Sequence, residues 1–304
     1  MQAPSRPGAP ATRPVVVCAD DYGLAPGVSE AIAALVATGR LSATSCMSAL
    51  PDWHRAAPPL RALMASAPAD VGLHLTLTDQ PPLSAAARRA WGERLPPLGR
   101  LLAAALARRL PAQGVADEIR AQLDAFEDAW GDAPDHVDGH QHVHVLPGVR
   151  ERLVAELLRR HPRGRVWVRD CVEPPLRSLQ RREAAGKAWF ISALARGLHR
   201  QLREAGLPCN EGFSGLHDFS VERPFAAKMR RFLAGTGPRP LVHVHPGRVD
   251  AALRACDPLT TPREAELAYL ASAEYLADLA AAGLRPARFA AFDAPEVGTT
   301  APSC

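Results

Sequence analysis

The sequence predicts one α/β domain whose parallel strands close into a β/α barrel, and three observations carry that prediction. Short apolar runs suited to strands buried on both faces alternate with amphipathic helical segments along the whole chain of 304 residues. No Pro/Gly-rich linker interrupts this alternation, and a barrel of such length is commonly a single domain. The glycine pattern of a dinucleotide-binding open sheet is missing after the first strand, where 20-DDYGLAPG-27 stands instead, and the phosphate-loop pattern is missing too. Polar residues close several strands, as expected if a site occupies the C-terminal rim of a barrel.

In chain order, residues 1–13 are rich in Pro and Ala and read as a disordered lead-in without the apolar core of a secretory signal. The first strand is 15-VVVCAD-20, an apolar run ending in carboxylates. The turn 22-YGLAPG-27 leads into a helix over 28–39, where Val28, Ile32, Leu35 and Val36 share a face before Gly39 stops it. Further strands are expected at 42–47, 70–77, 136–145, 165–169, 241–245 and 288–294. The clearest helix covers 115–130, with Val115, Ile119, Leu123, Phe126 and Trp130 in one stripe. Others are expected at 149–161, 178–205, 224–235 and 263–283. Segment 78–100, with four prolines and little apolar period, reads as a loop over the site mouth. The domain is expected to span 14–295, followed by a short tail at 296–304.

Composition removes several classes. With 47% hydrophobic and 22% charged residues the chain is too apolar to be disordered throughout. The net charge of +4 comes from arginines scattered over many helices, so no nucleic-acid partner is expected. The six cysteines, at 18, 46, 171, 209, 256 and 304, form no C-x-x-C pair, which argues against a zinc knuckle or a thioredoxin motif and for reduced thiols in a cytoplasmic protein. No apolar run reaches the ~18–20 residues that a membrane span requires.

The chemistry concentrates in 138-DGHQHVHVLPG-148, which holds three of the eleven histidines within five residues. Read as a strand, it puts Asp138, His140, His142 and His144 on one face, where so many ionisable groups need a cation or a polar partner. The outer two imidazoles would lie about 13 Å apart, so at most one or two of the three could ligate one ion. The remaining donors must come from other strands: a carboxylate from the Asp20–Asp21 pair, and His74. One carboxylate and two imidazoles leave positions open for water and substrate, as catalytic centres do. Two adjacent aspartates are best divided between metal ligation and general-base work, since packed together and idle they would raise one another's pKa.

Four segments in order, 19-ADDYGLAPGV-28, 72-GLHLTLT-78, 138-DGHQHVHVLP-147 and 243-HVHPG-247, resemble those of the YdjC-like carbohydrate deacetylases, over residues 14 to 294. The resemblance implies a single-domain distorted β/α (TIM-like) barrel, a divalent cation usually described as magnesium, and removal of N-acetyl groups from amino sugars such as chitin-derived oligosaccharides. It implies Asp21, His74 and His140 as metal ligands, Asp20 as base and His245 as the acid beside the leaving nitrogen. On ligand chemistry alone, Zn, Co or Ni would suit two imidazoles and a carboxylate, whereas Mg prefers oxygen. Tyr22, His142, His144, Arg169 and Phe213 are candidates for substrate contact, Asp138 for supporting the ligands, and Phe219 for stacking on a sugar ring. The expected partner is a small amino sugar, and a homo-oligomer is compatible with the sequence. Two other readings stay open: a metal-dependent phosphoesterase or amidohydrolase, which also uses H-x-H on a barrel strand, and a sugar-binding relative without turnover.

Overall fold

The computed structural model describes residues 12–162 and 164–293. Among the described residues there are eight parallel strands: β1 (Arg13–Tyr22), β2 (Ala43–Cys46), β3 (Asp70–Leu75), β4 (His136–Gly139), β5 (Trp167–Val168), β6 (Phe213–Ser214), β7 (Leu241–Val244) and β8 (Leu284–Pro286). Around them lie α1 (Pro26–Ala37), α2 (Trp53–Leu63), α3 (Ala85–Trp91), α4 (Leu98–Leu106), α5 (Ala112–Trp130) and α6 (Arg150–Arg160). The second half adds α7 (Pro175–Arg181), α8 (Ala185–Ala205), α9 (Phe225–Leu233), α10 (Ala251–Cys256), α11 (Thr261–Leu270) and α12 (Ala273–Ala281).

The strand order is β5-β4-β3-β2-β1-β7-β6. The two ends of this curled sheet meet through one parallel backbone pair, Val168 with Cys209, so a seam lies between β5 and β6. β8 pairs only with the start of β1, at Arg13–Val15. The architecture is thus a distorted β/α barrel in one α/β domain. Val15, Val16, Val17, Cys18 and Ala19 of β1 are all inaccessible, because both faces of a central parallel strand are covered. Among the described residues, no helix is long and apolar enough to cross a membrane.

Four expectations need correction. The segment 288–294 is not a strand: Phe289–Phe292 forms a 3-10 turn, and residue 294 lies outside the described residues. Asp70 dictates this by accepting hydrogen bonds from Arg288 Nε and the Phe289 backbone N–H, both at 2.7 Å, while the Phe289 ring stacks on Trp167 with centroids 4.9 Å apart. The helix expected over 178–205 breaks between α7 and α8, where Arg182 and Ala184 take left-handed φ of 54° and 40°. The helix expected over 263–283 breaks after Leu270, and Ser272 caps α12 by accepting from the Tyr275 N–H at 3.3 Å. Segment 78–100 is no bare loop, since it holds α3 and the start of α4. Buried Glu118 of α5 pins it by accepting from the Leu83 and Ser84 N–H groups at 3.0 and 2.8 Å. The expected tails at 1–13 and 296–304 fall outside the described residues, save that residue 12 precedes β1 and Arg13 opens it.

Candidate active site

Consecutive strand residues face opposite ways, yet Asp20 and Asp21 both reach the barrel mouth. Ala19 pairs with Thr44 and Tyr22 with Cys46, so β1 carries one residue more than β2 between these pairs. Asp21 sits in this bulge with a left-handed φ of 70°, which aspartate tolerates better than most residues.

The second irregularity corrects the expected strand over 138–145. β4 ends at Gly139, and His140–Val145 winds into 3-10 turns in which Gln141 and His142 have φ of 53° and 59°. A Cβ on Gly139 would stand 2.9 Å from the His144 backbone N, so only glycine lets the chain fold back this tightly. The histidines therefore go three ways. His140 reaches the mouth and is partly exposed. His142 turns toward Cys171, Phe213 and His243. His144 is inaccessible and donates from Nε2 to the Arg169 carbonyl at 3.0 Å.

At the mouth, Asp21, His74 and His140 converge, with one donor atom of each within 4.8 Å of the others. Asp21 Oδ1 lies 3.3 Å from His74 Nε2 and 3.0 Å from His140 Nδ1. Donors bound about 2.1 Å from one ion lie on the order of 3 Å apart, so this set has the spacing of a facial triad. The rest of each ligand is already engaged. His74 Nδ1 contacts Asp138 Oδ1 at 2.6 Å, which leaves Nε2 facing Asp21 and His140. Asp21 Oδ2 accepts from Arg263 Nη2 at 2.6 Å, which leaves Oδ1 facing the two rings. Burial alone would raise the Asp21 pKa, but Arg263 and the imidazoles hold it well below the usual range. Burial would likewise depress His74; the Asp138 and Asp20 carboxylates outweigh it and push the ring up to about 10.

Below this triad, Arg169 has no accessible surface and lies just past β5. It donates to both oxygens of Asp20, at 2.5 and 2.8 Å, and its Nη2 stands 2.5 Å from Asp138 Oδ2. Ser45 Oγ adds a 2.5 Å hydrogen bond to the same Asp138 oxygen. Each Asp20 oxygen keeps a second lone pair, so the pairing orients the carboxylate and leaves it able to accept a further hydrogen bond.

His245, just past β7, places Nε2 3.9 Å from Asp20 Oδ2, while its Nδ1 is buried without a hydrogen-bond partner. Burial pushes its pKa well below the ordinary imidazole value, only partly opposed by Asp20 and Asp21, so the ring is neutral near pH 7. Phe219 stands edge-on to His245 with centroids 5.2 Å apart and remains partly exposed.

Several residues expected to contact substrate are buried in this structure. Tyr22 is buried and spends its hydroxyl on the Ala56 carbonyl at 2.8 Å. Phe213 is buried and stacks on His243 with centroids 4.9 Å apart, which leaves Phe219 as the ring that faces the mouth. His142, His144 and Arg169 are buried as well, beneath the rim.

Arg263 and Glu266 belong to none of the sequence motifs. On α11, Arg263 and Glu266 are each 1% exposed and share a buried face with Tyr269 and Leu270. Two charges on the apolar face of a helix were the signal available, because charged residues are almost never buried unless paired. Glu266 accepts from the His245 backbone N–H at 2.6 Å and contacts His217 Nε2 at 3.1 Å.

A family model described as YdjC-like protein matches residues 14–281. Among curated proteins, the chain is similar to the carbohydrate deacetylase of Homo sapiens, 38% identical over 141 residues that cover 44% of this chain and 42% of that protein. It is also similar to the chitooligosaccharide deacetylase of Yersinia pestis (strain Pestoides F), 36% identical over 139 residues that cover 44% of this chain and 52% of that protein. The matched stretches span about half the length of these curated relatives. Among solved structures, a protein of Enterococcus faecalis V583 assigned to cellobiose-phosphate cleavage superposes with a TM-score of 0.71 at 18% identity, covering 91% of this chain and 98% of that one. That likeness shows a shared fold. Because the family model runs from β1 through α12 and takes in every element that lines the mouth, the chain belongs to the YdjC-like protein family.

Proposed function

We propose that the protein hydrolyses the N-acetyl group of an acetylated amino sugar or oligosaccharide, using a divalent cation held by Asp21, His74 and His140. The observation that supports it most is the adjacency of two sets: a facial donor triad of metal-like spacing, and the Asp20–His245 pair 3.9 Å apart beside it. The names of the curated relatives point to the same substrate class. Imidazole donors favour Zn, Co or Ni, and family resemblance favours Mg; the donor set fits a cation in either case.

When bound, such a cation polarises a carbonyl and makes water a better nucleophile. The chain supplies the proton traffic. Asp20, oriented by Arg169, takes the proton of the attacking water, and the acetyl carbon becomes tetrahedral. Neutral His245 then receives that proton from Asp20 through Nε2 and passes it to the amide nitrogen as the C–N bond breaks, releasing acetate and a free amine. This refines the expected role of His245, whose buried ring is neutral at rest and not an imidazolium. Phe219 offers a face or edge to the sugar ring at the mouth.

Acetate release from N-acetylglucosamine oligomers, with a phosphoester panel run in parallel, tests the reading. Asp20→Asn keeps the size and a hydrogen bond to Arg169 but loses the base, and should lower kcat by about 10²–10⁴. Ordinary turnover by this variant, or activity on phosphoesters alone, would sink the proposal.

A further inference from the structure

Between β7 and α11 the chain doubles back over the β1–α1 turn. The Gly27 N–H donates to Asp250 Oδ2 at 2.7 Å, the Arg248 N–H to the Gly27 carbonyl at 3.1 Å, and the Gly247 N–H to the Arg263 carbonyl at 3.2 Å. The approach is close enough that a Cβ on Gly27 would lie 2.5 Å from the Arg248 carbonyl oxygen. At the end of this strap stands Arg263. Its Nη2 donates to Asp21 Oδ2 and to Asp257 Oδ2, both at 2.6 Å, and its Nε donates to the Leu259 carbonyl at 3.1 Å. The guanidinium is therefore fixed by its own loop before it meets Asp21.

Two effects on a nearby cation oppose each other. A guanidinium is positive and repels the ion, but it also occupies one oxygen of Asp21 and so aims the other at His74 and His140. Counting charges decides how to separate them. Asp21, Arg263 and Asp257 together carry one net negative charge, the same as Asp21 alone, so the clamp costs the site little attraction while fixing the carboxylate's rotation. We infer that Arg263, held by Asp257, is a positioning residue that tightens divalent-cation binding at Asp21, His74 and His140. The inference rests on the proposed role of these three as ligands.

The two effects predict opposite signs. Removing the guanidinium leaves two uncompensated carboxylates, Asp21 buried and Asp257 partly exposed, which by charge alone would draw a cation in more tightly. Loss of aim makes binding weaker, and outer partners of metal ligands are typically worth about 10–100-fold in affinity. The chelator-treated full chain is titrated calorimetrically with Zn²⁺ and, separately, Mg²⁺. Arg263→Gln should bind about 10–100-fold more weakly than the native chain, and so should the charge-balanced pair Arg263→Gln with Asp257→Asn. Equal or tighter binding in either variant overturns the inference while leaving the ligand set standing. If the native chain binds neither ion, both the ligand set and the inference fall. Should Arg263→Gln not fold, Arg263→Lys keeps the net charge and loses the planar guanidinium that spans Asp21 and Asp257; affinity unchanged from native there overturns the inference, and a several-fold loss supports it. Melting of the metal-free proteins separates general damage, which lowers that temperature, from loss of aim, which lowers the affinity of folded protein.

Discussion

The two sides of the mouth are built on different terms. On the side of β1, β3 and β4, every carboxylate oxygen is engaged: Asp20 by Arg169, Asp138 by His74, Ser45 and Arg169, and Asp21 by His140 and Arg263. On the side of β7, His245 has a buried Nδ1 without a partner and an Nε2 3.9 Å from Asp20. A network in which every carboxylate oxygen is held keeps geometry constant, even with Arg169 Nε and Arg263 Nη1 left without partners, because moving a carboxylate strands the groups bound to it. A sparsely bonded neutral imidazole is free to change its proton. The contrast suits a centre in which one side fixes the position of Asp20 and the ligands while the other carries the proton onward.

The comparison is broken most severely at Arg169. Arg169→Met leaves Asp20 and Asp138 buried without their counter-charge, and should cost about 3–5 kcal/mol in denaturant unfolding together with nearly all activity. A loss under about 1 kcal/mol would show that the network is not the rigid half described. His245→Gln should do the reverse. Acetate release should fall by about 10²–10⁴ in kcat, while stability and cation affinity stay near native. A large stability loss with modest kinetic change would merge the two sides into one.

The smallest effect concerns protons. With His74 pushed up to about 10 in the metal-free chain, the ring is protonated near neutrality and cannot ligate until it loses that proton. Calorimetry in buffers of different ionisation enthalpy should therefore show about one proton released per cation bound near pH 7, and affinity that rises with pH. Because its folded value lies above the ordinary 6.5, the His74–Asp138 pair stabilises the metal-free fold fully below pH 6.5 and loses that contribution as pH climbs through about 10. No proton release would mean that His74 is neutral before metal arrives.

How much of this was legible in the sequence differs by kind of information. Apolar runs locate the strands of the barrel because burial on both faces leaves no alternative composition, as in 15-VVVCA-19. Asp20, Asp21, His74 and His140 stood out because polar groups at the ends of such runs need a reason. What period-two alternation could not show was that Gly139 lets the chain turn and send His142 and His144 inward, since that depends on space left by a missing Cβ. The eighth strand hid for a similar reason. Residues 288–294 have a strand's composition, but the Asp70 carboxylate, more than two hundred residues earlier, captures the Arg288 side chain and the Phe289 backbone N–H, and the pairing falls instead to Leu284–Pro286. Long-range partners of this sort, like Arg263 on Asp21, leave only an indirect trace in local pattern.

One consequence follows from the way the ring of strands is joined. Six boundaries are laddered, and the seventh rests on one backbone pair, Val168 with Cys209, reinforced by the Asn210 amide, which bonds the Asp170 N–H and carbonyl at 2.7 and 2.8 Å. In the strand order β2 stands farthest from that join, and the strands that bring Asp21 and His74 flank β2 on either side. The two donors thus ride on the stretch of wall whose pairing is continuous to left and right, remote from the place where a side chain has to do part of a ladder's work.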